Sequence, residues 1–143
     1  MDKIRQELHV YYQHDYELYG IQTAVPEYKL AWELNQALSI QLKKVPNLAL
    51  GDEVESALLI SNFVFSSTHR TFRLLKNQAF PAAKPAAYLV PELSDWTYLL
   101  QVQDPSRSLD CDTLRLAINA LSSIQQVSHI DLLTVVHKEP LLF

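Results

Sequence analysis

Five histidines, one cysteine and a short acidic–aromatic stretch carry most of the chemistry this chain could offer. The histidines are His9, His14, His69, His129 and His137. None is paired at i, i+4, and no HExxH-type spacing occurs, so no helix presents two imidazoles to one metal ion. His9 and His14 with Asp15, or His129 with Asp131 two positions on, would set two ligand-type groups on one face of a strand. A third ligand would have to come from elsewhere in the fold, and no metal or other cofactor is expected from this spacing. Cys111 lies between Asp110 and Asp112. A reactive thiolate is favoured by neighbouring cations, and acids that cap a helix beside a small core thiol account better for the triplet. Ser66-Ser67-Thr68-His69 sets a hydroxyl beside an imidazole, but nucleophile–base pairs are assembled across a fold and not by adjacency. His69, Arg70 and Arg73 make a small basic spot that reads as a solvated turn.

The candidate binding residues lie in AAYLVPELSDWTYLLQVQ, residues 86–103. Glu92 would supply charge, and Trp96 and Tyr98 would supply flat apolar surface of the kind found in binding sites. Packing is the better explanation of the two rings, because Trp and Tyr are largely buried in most folds. Glu92 then has to find either water or a specific partner.

Composition excludes several function classes. Only two glycines occur among 143 residues, Gly20 and Gly51. Phosphate-cradling loops, dinucleotide fingerprints and the G-x-S-x-G elbow need glycines close together, so none can be built here. The formal net charge is −4 and Lys43–Lys44 is the one adjacent basic pair, which argues against nucleic acid as a partner. No apolar run is long enough for a membrane span, and the first residues are too polar for a signal peptide. With one cysteine there is no internal disulfide framework, which suits a reducing compartment, so a cytoplasmic protein is expected. The length fits a single domain over residues 1–143, with a core that needs no covalent staple.

Periodicity supplies the elements. Residues 1–13 are ambiguous between an edge strand and a helical turn. Residues 15–23 alternate as a strand, Tyr16, Leu18 and Gly20 against Glu17, Tyr19 and Ile21, and Gly20 marks a bulge or a close backbone approach. Pro26 opens a helix over 27–38 with Leu30, Ala31, Leu34, Ala37 and Leu38 as its buried stripe, and Lys29 and Glu33 one turn apart on the wet side. A short strand is expected over 39–44, a loop over 45–55, and an antiparallel hairpin from 55–66 and 71–78. Residues 80–87 form a proline-limited crossing. A strand over 96–103 presents Tyr98, Leu100 and Val102 on one face. A second helix, capped by Asp110 or Asp112, has Leu114, Ala117, Ile118, Leu121 and Ile124 as its stripe, and a last strand covers 127–136. The fold class is therefore α+β: a single, mostly antiparallel sheet of five to seven strands with two helices packed on one face. The other face must be wet or covered, and exposed apolar residues there would favour a dimer.

The chain resembles the IPExxDY family of small bacterial proteins. The resemblance rests on Glu17-Leu18-Tyr19-Gly20-Ile21, on Tyr28-Lys29-Leu30-Ala31-Trp32, and on Val90-Pro91-Glu92 with Thr97-Tyr98, and it runs from about Asp15 to Leu100. Val90 stands where the signature has Ile, and Thr97 where it has an acid. The resemblance implies a family without an established activity and carries over no catalytic or cofactor residue. The expected function is a non-catalytic cytoplasmic interaction module, self-associating or bound to a protein partner through its sheet face or edge. The apolar Leu141-Leu142-Phe143 also calls for a surface to cover it. A small-ligand pocket near Glu92, Trp96 and Tyr98 is the alternative, and acid–base enzyme chemistry comes third.

Overall fold

Strict alternation makes Glu17–Thr23 (β1) a strand with two different faces, and the rest of the molecule is built on those faces. The computed structural model describes residues 16–50, 58–82, 84–136 and 138–143. The expectation for residues 1–13 lies outside them. β1 is followed by a helix, Glu27–Leu38 (α1), and by strands Lys43–Ala49 (β2), Leu59–Ser66 (β3), Thr71–Lys76 (β4) and Tyr98–Gln103 (β5). A second helix, Cys111–Asn119 (α2), and a strand, Ile124–Ile130 (β6), complete the regular elements among the described residues. They form one sheet in the order β2-β3-β4-β5-β1-β6, with every neighbouring pair antiparallel. The expected α+β architecture is the one observed.

Both helices lie on the same face. Leu30, Ala31 and Leu34 of α1 and Leu114 and Ile118 of α2 join Tyr19, Ile21, Phe72, Leu74, Tyr98, Leu100 and Val102 in one core. α1 begins at Pro26, whose extended backbone stands at the N-cap, and ends where Ser39 turns left-handed at φ 55°. Asn35 then fastens the exit: it accepts from the Leu42 N–H at 2.7 Å and donates to the Leu42 carbonyl at 3.3 Å. α2 begins at Asp110, whose carboxylate accepts from the N–H groups of Asp112 and Thr113.

The opposite face of the sheet is covered by the chain itself. Leu18, Ile60, Leu75 and Leu99 meet Ala79, Leu89, Val90 and Leu93 from the crossing segment, and Val135 and Leu141 from the segment after β6. The face that would have favoured a dimer if exposed is therefore an internal core. Leu141 is fully buried in it, and its carbonyl accepts from Gln101 Nε2 at 2.6 Å.

Several boundaries differ from the sequence reading. β2 starts at Lys43, not Ser39, and runs through Pro46 into the expected loop. It is an edge strand, where proline need not donate to a ladder, and its register shifts between Val45 and Leu48. Two exposed lysines and a proline also make this edge a poor template for further pairing. Ile124 belongs to β6 and not to the α2 stripe, because α2 ends at Asn119. β6 stops at Ile130, where Asp131 caps a short 3-10 turn, Leu132–Thr134, instead of continuing to Val136.

Candidate functional site

The three expected binding residues are placed by the crossing between β4 and β5. Asn77, only 1% exposed, organises that crossing. Its side-chain oxygen accepts from the Val90 N–H at 2.9 Å, and its amide donates to the Leu93 carbonyl at 2.9 Å. Pro91–Leu93 forms a 3-10 turn, and the Trp96 N–H donates back to the Leu93 carbonyl. Trp96 thereby packs against the second core, on the face of Leu18 and Leu99. Tyr98, two residues on, points to the helix face and is fully buried there. Its hydroxyl donates to the Val25 carbonyl at 2.8 Å, and burial, with Glu27 adding to it, pushes its pKa up to about 12. Trp96 and Tyr98 lie on opposite faces of the sheet and do not line a common pocket. Glu92 is exposed and accepts from the Val136 N–H at 2.8 Å, tying the turn at residue 92 to the segment that covers the second core.

A different cluster forms where β1, β6 and the start of α2 meet. Period-2 alternation puts Glu17 and Tyr19 on the helix face of β1. Tyr19 is paired in register with His129 of β6, and their rings stack with centroids 5.0 Å apart. His129 Nε2 lies 2.6 Å from Glu17 Oε2. Cys111, the first residue of α2, brings its thiol to the same place, and one donor atom from each of Glu17, Cys111 and His129 lies within 4.8 Å of the other two. Tyr19 is fully buried, and its hydroxyl lies against the Cys111 side chain, with no other hydrogen-bonding group among the described residues. Burial, then the hydrogen bond and charge of Cys111, push its pKa far above the ordinary phenol range. Glu17 is shared by two clefts. One, of about 260 Å³, also holds Cys111, Asp104 and Arg107, and the other, of about 300 Å³, holds His129 and Asp131.

The remaining candidates are occupied by structural work. Asp131, the expected companion of His129, accepts instead from the Leu133 N–H at 3.0 Å. Ser67 Oγ accepts from the N–H groups of His69 and Arg70 and closes the hairpin turn. The two arginines of the basic spot are engaged within the chain: Arg70 Nε lies 3.4 Å from Asp104 Oδ1, and the Arg73 guanidinium sits 3.8 Å from the centre of the Phe143 ring. Burial would raise the Asp104 pKa, but the Leu109 N–H, the Ser106 hydroxyl and Arg70 outweigh it and hold the carboxyl below its usual value. Thr113 and the N–H of Asp112 likewise hold Asp110 low. His9, His14 and His137 lie outside the described residues.

Sequence reasoning missed two features. One is the Glu17–Cys111–His129 grouping, for which the only local signal was that His129 and Cys111 are ligand types. The other is the outer side of α1, where Tyr28 is 70% and Trp32 62% exposed. Spaced i, i+4, they are neighbours on one solvent-facing strip of the helix, and Leu116 of α2, also exposed, adds to the apolar surface of the helix layer. Among the described residues no helix is long and apolar enough to cross a membrane. Comparison with family models, curated proteins and solved structures finds no match to this chain.

Proposed function

We propose that this protein is a non-catalytic cytoplasmic interaction module that self-associates through the outer face of α1. The observation that carries the reading is the exposed Tyr28–Trp32 pair on a regular helix whose other side is firmly packed. Trp and Tyr are among the residues most enriched at interface hot spots, and an exposed tryptophan on a rigid element is unusual for a monomer surface. Both faces of the sheet are already covered, so the reading rests on the helix layer instead of the sheet face. A second copy fits the strip well. Two α1 helices meeting antiparallel across a two-fold axis would set Tyr28 of each against Trp32 of the other, as an isologous interface requires. The same geometry would bring the exposed Lys29 of one copy towards the acidic Glu33 of the other.

The proposed membership of the IPExxDY family belongs to this reading. Of the matched Tyr-Lys-Leu-Ala-Trp stretch, Leu30 and Ala31 are buried, while Tyr28 and Trp32 are largely exposed. Sedimentation equilibrium at micromolar concentration tests the proposal. A dimer is expected for the natural chain and a monomer for Tyr28→Ser/Trp32→Ser, with unchanged circular dichroism. A natural chain that sediments as a monomer throughout, or a dimer that survives both substitutions, overturns it.

A further inference from the structure

The corner formed by β1, β6 and the start of α2 holds an assortment of donors that packing alone does not require. A carboxylate, an imidazole and a thiol converge from three different elements, with Glu17 brought from the far end of the chain to the α2–β6 unit. His129 and Glu17 are both partly open to solvent, so an ion has a route in. We propose that, among the described residues, Glu17, Cys111 and His129 bind a divalent transition metal of the zinc class, these three donors leaving one tetrahedral position to another ligand. Thiolate, imidazole and carboxylate together suit zinc or cobalt better than magnesium or calcium, which take oxygen donors.

The buried Tyr19 hydroxyl supports the site. It lies against the Cys111 side chain, and a metal-bound thiolate would accept its hydrogen bond more strongly than the thiol does. Outer hydrogen bonds of this kind orient and tune metal ligands. The stacking of Tyr19 on His129 would restrict the imidazole plane in the same way. Asp104 lies in the adjoining cleft but is not a fourth ligand, because its oxygens are taken by Arg70, Ser106 and the Leu109 N–H.

The geometry demands a modest adjustment. Donors about 2.0–2.3 Å from a tetrahedral zinc ion lie roughly 3.3–3.8 Å apart. The 2.6 Å Glu17–His129 contact must open, and the longest separations in the group must close by up to about 1 Å, within reach of side-chain rotation. Binding replaces the S–H bond of Cys111 by a metal–sulfur bond and releases its proton to the buffer.

The test uses the full chain, titrated with Co²⁺ and then displaced by Zn²⁺. One equivalent of Co²⁺ should produce the near-ultraviolet thiolate-to-cobalt charge-transfer band, Zn²⁺ should abolish it, and Zn²⁺ should slow alkylation of Cys111 by iodoacetamide at least tenfold. Cys111→Ser should eliminate the band. His129→Gln, at an exposed position of β6, should weaken Co²⁺ binding at least tenfold with unchanged circular dichroism, whereas His69→Gln should bind like the natural chain. Absence of the band, a band that persists in Cys111→Ser, or unaltered affinity in His129→Gln overturns the proposal. The site does not depend on α1, so dimerisation and metal binding stand or fall separately.

Discussion

The indole of Trp96 occupies the space that a side chain at position 20 would need. A Cβ built on Gly20 would lie 2.4 Å from Cδ2 of Trp96 and 2.6 Å from its Cγ. Gly20 is thus required by close approach and not by a bulge; the register irregularity of β1 falls between Gln22 and Thr23. Gly20→Ala should cost about 1–3 kcal/mol, because the indole must move off the sheet. In a Trp96→Ala background the same change should cost at least about 1 kcal/mol less. Urea denaturation of the four proteins measures this coupling, and equal costs in both backgrounds would contradict the contact.

Asn77 is the residue on which the crossing depends. Replacing it with alanine strands the Val90 N–H inside the second core, while the Leu93 carbonyl keeps its bond from the Trp96 N–H. One unsatisfied buried group costs about 1–3 kcal/mol, so a loss of that size is expected. Hydrogen exchange should show the Val90 amide losing protection by more than any amide of α1.

Leu141 and Glu92 hold the cover of the second core in different ways. Leu141→Ala removes a fully buried side chain and should cost about 2–5 kcal/mol. Glu92→Ala, at an exposed position, removes the hydrogen bond to the Val136 N–H and should cost less than Leu141→Ala. Dye binding to exposed apolar surface should rise for Leu141→Ala and stay unchanged for Glu92→Ala, while the Val136 amide should exchange faster in the latter.

Asp104 gives the fold part of its acid sensitivity. Its carboxyl is held below the ordinary value in the folded state, so the unfolded chain binds the proton more readily. The stabilisation is fully present above the unfolded pKa, about 3.9, and is lost as pH falls through the lower folded value. Asp104→Asn should therefore be less stable than the natural chain at pH 7, and the gap should narrow below about pH 4. Thermal melts across pH 2.5–7 check it, and a gap that widens in acid would show the shift to have the other sign.

Local periodicity determined a large part of this protein from sequence alone. Alternation in Glu17–Thr23 and Tyr98–Gln103, the stripe of Leu30, Ala31 and Leu34, and the Asp110 cap each depend on residues within a few positions of one another. Such contacts follow from the periods of 2 and 3.6, and so the sheet and its two helices were legible. Only the tertiary structure decided what covers each face. Residues 79–96 and 132–141 reach the second core by long-range burial, which no local pattern encodes, and they remove the exposed sheet face that the sequence suggested. It also separated Trp96 from Tyr98, because a two-residue spacing shares a face only within a strand, and Trp96 stands in the turn before β5. Glu17 and His129, 112 positions apart, meet only because β1 and β6 pair in one particular register, and Cys111 joins them because α2 starts above that pair. Strand register and helix docking are set by the summed burial of the whole core, and that sum exists only once the chain has folded.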